Sequence, residues 1–362
     1  MNNIHQKVKS SSLLKEKMTK INTEAIVLVK NGAASSAFER RAITLDGPKP
    51  KEVVIESEAF GLNYADVMSR IGLYREAPPL PCVVGYELVG KITQVGSEVD
   101  PSLIGTRVLA FCRFGGYAKH VVTYDYAVVP IHEMPAEEAM VLCTQAVTAF
   151  YMADYLAPIH EGDKVLIHAS AGGVGTILIQ LAKLKGAEVF AKIGDERKAE
   201  LVKKLGADHV INYTKSDYAQ QIKQLLKGDR LDSTFNPVAG STYKKDMALV
   251  GSGGKVILFG GSELSSGKWG IFSKLNFVRK MGLVLPIGLM MRSKNVLGVN
   301  MLKIADNRPK VLANCLKEVV KLHQEGKLQP QIGGTYTIDK VAEAHAALEN
   351  GKTTGKLTVF WD

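Results

Sequence analysis

Cysteine is scarce in this chain of 362 residues: four thiols, Cys82, Cys112, Cys143 and Cys315, all lie far apart. No Cys-x-x-Cys pair occurs, so neither a zinc lobe nor a disulfide framework is indicated, and reduced thiols in a cytoplasmic protein are expected. Long apolar runs are also missing. The longest, Met281 to Met291, is about half the length of a spanning helix and contains Gly282, Pro286 and Gly288, which argues against a membrane span. The first 23 residues have neither the apolar centre of a secretory signal nor the arginines of a mitochondrial presequence. They carry five lysines and Ser10-Ser11-Ser12, so a disordered basic extension is expected over 1–23, with Met18 as an alternative start. The eight histidines show no metal-ligand spacing, and no Gly-x-Ser-x-Gly elbow marks a hydrolase. The net charge of +10 is spread along the chain without a zinc-finger or basic-region pattern. Nucleic acid is therefore not the expected partner, and a phosphate-rich cofactor accounts for part of the basicity.

The most informative stretch is Ala169-Ser170-Ala171-Gly172-Gly173-Val174-Gly175, between apolar Lys164–His168 and a helical pattern from Thr176 to Lys183. A strand, a small-residue turn and a helix start make a resting place for a dinucleotide pyrophosphate. Gly172 is expected to allow the tight turn, Gly173 to let the phosphates approach, and Gly175 to let the helix pack on the strand. A second apolar strand over 188–194 follows at one helix's distance. The alternative is a purely structural turn.

The length favours two domains. From Glu24 to about Val129, short strands alternate with Gly and Pro turns, which predicts a β-rich domain. From about Val147 the rhythm changes. Strands at 164–168, 188–193, 209–212, 231–235 and 255–259 alternate with helical stretches such as 196–205 and 216–227, predicting a parallel sheet covered on both faces. Helices then follow over 308–326 and 339–350, with a closing strand over 356–360. The expected fold is α/β, and the expected divisions are 1–23, 24–146, 147–300 and 301–362.

This organisation is similar to the medium-chain dehydrogenase/reductase architecture, a GroES-like β-rich catalytic domain plus a Rossmann-type doubly wound parallel sheet. Gly61-Leu62-Asn63-Tyr64-Ala65-Asp66, Arg70–Tyr74, Leu80-Pro81, Gly85-Tyr86-Glu87, Ala171–Gly175 and Gly206–Tyr213 resemble zeta-crystallin-like quinone oxidoreductases. The segment after Gly261, through Trp269 and Met281–Met291, resembles the vesicle amine transport protein branch of that group. The resemblance spans about residues 24–362.

Zinc-dependent relatives carry a cysteine where Asn63 stands, a His-Glu pair where Tyr86-Glu87 stands, and a further ligand near Thr144. Cys143 lies beside that last position, but one thiol and one carboxylate do not complete a tetrahedral site. No metal is therefore expected, and a quinone or activated enone, which needs no Lewis acid, suits the chain better than a simple alcohol. The second strand ends in Lys192-Ile193-Gly194 without the acid that takes a ribose 2′-hydroxyl, although Asp195 and Glu196 follow. By resemblance, Lys198 and Tyr213 hold a 2′-phosphate, so NADPH is the expected cofactor. Lys198 as a plain solvated lysine is the alternative. Ala171, Gly172, Gly173, Val174 and Gly194 are further cofactor candidates, as are Phe259 and Gly260 at the carboxyl edge of the sheet. Lys356, the second residue of a terminal Gly-Lys pair, is another, with a surface lysine as its alternative reading. Resemblance places Asn63 and Tyr74 at the catalytic cleft, where each has a loop-residue alternative.

The resemblance also implies a homodimer. Two functions are open: hydride transfer from NADPH to a quinone or enone, and NADPH binding by a peripheral membrane or interaction protein with little turnover. The second rests on 268–294, which has six basic residues, no acidic ones and many apolar side chains. A cleft mouth or a dimer contact is its bland alternative.

Overall fold

The computed structural model describes residues 20–266 and 270–361, and the side chains of 20–264 and 275–361. The first strand, β1 (Lys20–Leu28), pairs antiparallel with β2 (Phe38–Asp46) from Lys20↔Asp46 to Leu28↔Phe38. The disordered extension expected over 1–23 is thereby corrected at its carboxyl end. Ile21 is buried and Lys20 bonds the Asp46 carboxylate, so residues 20–23 are held by pairing. The remainder of that expectation, Met18 included, falls outside the described residues.

A seven-stranded sheet is built around β3 (Glu52–Leu62). The strand β4 (Cys82–Val83) pairs with β1, and β5 (Glu87–Val95) runs along β3. Outward from β5 lie β6 (Arg107–Phe111) and then β8 (Val128–Pro130), while β7 (His120–Tyr124) takes the other edge of β3 over Glu52–Glu56.

The parallel sheet comprises β9 (Lys164–Ile167), β10 (Glu188–Ile193), β11 (His209–Asn212), β12 (Leu231–Asn236), β13 (Val250–Leu258) and β14 (Asn295–Gly298). Their order, β11-β10-β9-β12-β13-β14, makes β9 the point where successive strands diverge to opposite sides, and a crevice opens there at the carboxyl ends. Val165, Leu166 and Ile167 are fully buried because helices cover both faces. Helix Gly173–Leu184 supplies Ile177 and Leu178 on one face, and helix Tyr218–Leu226 supplies Tyr218 and Ile222 on the other. The strand–helix alternation read from the sequence has produced the expected fold class. The edge strand β14 and the long β13 were not anticipated. The expected helix over 196–205 divides into a tight turn, Glu196–Lys198, and helix Ala199–Lys204.

The chain finally returns to the first domain. Strand β15 (Ile332–Thr337) pairs with β16 (Lys356–Phe360), and β16 lies antiparallel to β3 with Leu357 opposite Leu62. A continuous apolar layer then joins the two sheets. It takes Val89 and Leu109 from the antiparallel sheet, Met140, Val141 and Val147 from helices Ala136–Leu142 and Thr144–Phe150, and Ile177 from the nucleotide-type fold. At about 1.5–3 kcal/mol per fully buried aliphatic side chain, this layer is sufficient to hold the crevice walls in register. The loop entering helix Tyr64–Arg70 is fixed as well: Arg70, 1% exposed, bonds the Gly32 carbonyl and Glu349 of helix Val341–Glu349.

Candidate functional site

The glycine turn after β9 is shaped differently from the sequence expectation. Gly172 has φ −83° and ψ 172°, which any residue adopts, and the left-handed residue of the turn is Ala169 at φ +50°. The tight turn therefore does not depend on Gly172. A Cβ on Gly173 would collide with the side-chain amide of Gln145, and one on Gly175 would sit 2.5 Å from the Ala169 carbonyl oxygen and 2.7 Å from Ser170 Cα. Gly175 thus has its expected packing role. Gly172 and Val174 are half-exposed at the N-terminus of the twelve-residue helix, whose free N–H groups and partial positive charge suit a pyrophosphate. Ala171 accepts a hydrogen bond at 3.1 Å from the N–H of Gly355, which stitches the turn to the start of β16.

Beside the turn, Thr144 Oγ1 and Gln145 Oε1 are buried without a hydrogen-bond partner. Two orphaned polar atoms at a helix N-terminus are what a carboxamide or ribose hydroxyl would satisfy, so a dinucleotide fits here. Sequence reasoning did not select these residues. Their only signal was adjacency to Cys143, and that was considered only for metal.

Asn63 and Lys356 meet with Glu87, although they are nearly three hundred residues apart in the chain. Lys356 Nζ donates to Asn63 Oδ1 at 3.0 Å and bonds Glu87 Oε1, while Asn63 Nδ2 donates to Glu87 Oε1 at 2.7 Å. Glu87 Oε2 accepts the Thr144 N–H at 2.7 Å. Lys356 and Glu87 are both 0% exposed, so neither reading of Lys356, cofactor-facing or surface, describes it. Lys356 is the buried counter-ion of Glu87. Gly61 makes room for the pair, since a Cβ there would stand 2.5 Å from Glu87 Oε1 and from Lys356 Cε. Asn63 also caps helix Tyr64–Arg70 in a reciprocal box, its N–H donating to Asp66 Oδ2 at 2.8 Å. Burial pushes the Asp66 carboxyl up to about 7, against the pull of the Asn63 N–H.

Tyr74 packs edge-on against Tyr86 (6.2 Å, 79°), and Tyr86 against Phe114 (5.2 Å, 52°). Burial raises the Tyr74 hydroxyl to about 12, so it remains a proton carrier at neutral pH. These rings form an aromatic wall at Tyr86, the chain neighbour of Glu87.

At the far end of the crevice Gly194 lies under Tyr213, whose hydroxyl fills the space a Cβ would need. Lys198 Nζ donates to the Gly351 and Thr353 carbonyls at 2.8 and 2.9 Å, so it is more than a solvated lysine. Asp195 caps its own turn and is clamped by Arg197, which holds its carboxyl down to about 2, and Glu196 bonds Asn212 and Lys215. Both acids that favoured a bare ribose are thereby engaged. Phe259 and Gly260 follow β13, where Gly260 backs onto the Pro237 carbonyl at the carboxyl edge.

Two family descriptions match: "Alcohol dehydrogenase GroES-like domain" over residues 49–133 and "Zinc-binding dehydrogenase" over 173–317. The chain is 30% identical over 324 residues to the human synaptic vesicle membrane protein VAT-1 homolog, covering 88% of this chain and 81% of that protein. A quinone oxidoreductase structure from Pseudomonas syringae superposes with a TM-score of 0.82 at 27% identity, covering 93% of this chain and 99% of that one. A mycobacterial protein solved in complex with NADPH gives 0.80 at 25% identity, with the same coverages of 93% and 99%.

The donor set does not fit the zinc that one description names. Asn63 offers an amide, the Tyr86 hydroxyl faces Ser69 at 3.5 Å, the Cys143 thiol donates to the Ala110 carbonyl, and Glu87 is held by Lys356. Among the described residues, no three His, Cys, Asp or Glu side chains stand together as a metal site.

Proposed function

The chain belongs to the medium-chain dehydrogenase/reductase superfamily as one of its oxidoreductases, and on that premise we propose that it uses NADPH to reduce a quinone or activated enone without zinc. One arrangement carries this reading. The Asn63–Lys356–Glu87 cluster is joined to the glycine turn through Gly355 and to the aromatic group of Tyr74, Tyr86 and Phe114 through Tyr86, the chain neighbour of Glu87. A planar acceptor stacks on the half-exposed ring of Tyr74, which Tyr86 and Phe114 back, and the Asn63 amide orients its carbonyl.

When bound, NADPH supplies the hydride. The helix N-terminus and the backbone of residues 171–174 would hold its pyrophosphate, and Lys198 and Tyr213 would flank its 2′-phosphate. Asn63 has a second Nδ2 hydrogen beyond the one given to Glu87, and this hydrogen donates to the substrate carbonyl. Lys356 fixes the amide's orientation by bonding its oxygen. Tyr74 keeps its proton and covers the acceptor, and the proton that completes reduction comes from solvent.

The test is NADPH consumption against a panel of quinones and enones. Asn63→Ala is expected to lower kcat/KM by about 10²-fold, the scale of one lost oxyanion donor. Tyr74→Leu is expected to raise KM by about tenfold with kcat little changed, through loss of stacking. Cofactor binding without turnover across the panel would defeat the enzyme reading.

That outcome would favour the second function. The basic and apolar stretch 268–294, on which the membrane reading rests, has the side chains of 268–274 outside the described ones. Its backbone forms helix Gly270–Met281 and helix Pro286–Arg292, separated at Gly282, and Leu283 is 93% and Met291 79% exposed in the same segment as Arg279 and Arg292. No described helix is long and apolar enough to cross a membrane. Flotation with anionic liposomes checks surface binding, and protein left wholly in the lower fraction defeats it. A homodimer in the cytoplasm is proposed with the enzyme reading, and a one-chain mass in sedimentation equilibrium would overturn the dimer.

A further inference from the structure

Lys192 is the next-to-last residue of β10, two positions before Gly194, and only 6% exposed. Its ammonium lies 3.2 Å from His168 Nδ1, 4.3 Å from the Tyr218 ring centroid and 4.6 Å from that of Tyr213. Its countercharge is one residue removed. Asp246 accepts from His168 Nε2 at 3.0 Å, from the Tyr218 hydroxyl at 2.8 Å and from Asn236 Nδ2 at 2.6 Å. With Nε2–H given to Asp246, the neutral imidazole presents the lone pair of Nδ1 to Lys192. The result is a buried cation resting on two aromatic faces and a neutral base. An arrangement of that kind is costly unless a ligand's charge completes it.

The side from which an anion would join this ammonium is marked by Tyr213. Tyr213 covers Lys192 with its ring and reaches over Gly194 with its hydroxyl. Lys198, the other cation at this spot, already gives hydrogen bonds to two backbone carbonyls. We infer that Lys192 is the second cation of the 2′-phosphate site, and that it sets the preference for a phosphorylated dinucleotide by its charge and by holding Tyr213. This inference rests on the NADPH reading above. It names a specificity-determining residue that sequence reasoning passed over as the tail of a strand.

The other charged groups facing Lys192 leave its charge in place. Lys245 and Asp217 pair with each other across Tyr218, Glu263 is bonded by Lys280 and Ser241, and His168 is held neutral by burial. Burial lowers Lys192 to about 8, with Asp246 pulling the other way. Below that pH the ammonium is charged and the phosphate is favoured. As pH rises through it, the charge and the preference are lost, and bound phosphate moves the midpoint upward.

Dissociation constants for NADPH and NADH, measured by fluorescence titration between about pH 7.5 and about pH 9.5, test this above the range in which the phosphate itself titrates. In the wild type the NADPH preference is expected to decline across that range. Lys192→Met is expected to weaken NADPH about tenfold and NADH less than about twofold, and to flatten the pH course. Lys192→Arg is expected to keep the preference at both ends, because its charge does not titrate. Thermal melts of both variants establish folding. A Lys192→Met protein, or a Lys192→Arg protein if the former does not fold, that retains the wild-type ratio and pH course overturns the inference alone. A wild type without NADPH preference at the lower pH overturns the cofactor reading with it.

Discussion

Replacing Lys356 by methionine is expected to reduce the free energy of unfolding by about 3–5 kcal/mol, because it leaves the Glu87 carboxylate buried without its counter-ion. Both side chains are 0% exposed, and the remaining donors to Glu87, Asn63 Nδ2 and the Thr144 N–H, are neutral. The loss falls on function too. Without Lys356 the Asn63 amide loses the bond to its oxygen, and its orientation toward a substrate carbonyl is no longer fixed. The double variant Lys356→Met with Glu87→Gln removes both charges and is expected to regain most of the stability, since the cost lies in the unpaired charge. It is not expected to regain activity. Urea denaturation of the two variants beside the quinone assay separates the effects. A single variant within about 1 kcal/mol of wild type would contradict a charged buried pair.

Gly175→Ala is expected to be far worse than Gly173→Ala, although both change the same turn. The Cβ at 175 meets backbone, the Ala169 carbonyl at 2.5 Å and Ser170 Cα at 2.7 Å, and neither can yield without moving the turn from the end of β9. Overpacking against side chains costs about 1–3 kcal/mol, and against fixed backbone the cost lies at or above the upper end. The displaced turn also takes the helix N-terminus away from the pyrophosphate, so NADPH affinity is expected to fall by about 10²-fold or more, the affinity equivalent of at least about 2.7 kcal/mol. The nearest atoms to a Cβ at 173 are those of the Gln145 amide, the far end of a flexible side chain that can rotate away. For Gly173→Ala the expected loss is about 1 kcal/mol or less of stability. Thermal melts and cofactor titration of the two variants decide the matter. Equal losses would show that the turn, rather than individual contacts, sets the tolerance.

The nucleotide half was legible because its signals are local. The apolar run before Ala169, the small residues of the turn and the next strand at one helix's distance all lie in one continuous stretch. The parallel sheet followed from the same rhythm, because strands joined by helices run parallel, whereas the order β11-β10-β9-β12-β13-β14 was read only from the folded chain. Gly172 shows where this local reading ended, since the left-handed residue of the turn proved to be Ala169. Tyr86 and Glu87 were noticed as part of the family resemblance and at the position of a metal-binding pair, and their roles in the aromatic wall and the buried pair depend on partners elsewhere in the chain.

What the sequence determined by itself was the fold class and the place of the glycine turn between β9 and its helix, because periodicity and glycine spacing need no distant partner. What the tertiary structure decided was the chemistry around that turn. The return of β16 onto β3 brings Lys356, a cofactor candidate by sequence, to Asn63 and Glu87 as a buried counter-ion. The convergence of β9, β10 and helix Tyr243–Leu249 does the same for Lys192, His168 and Asp246. In both places the deciding quantity is the distance between charges in a medium of low dielectric. Chain separation carries no information about that distance until the sheets have closed.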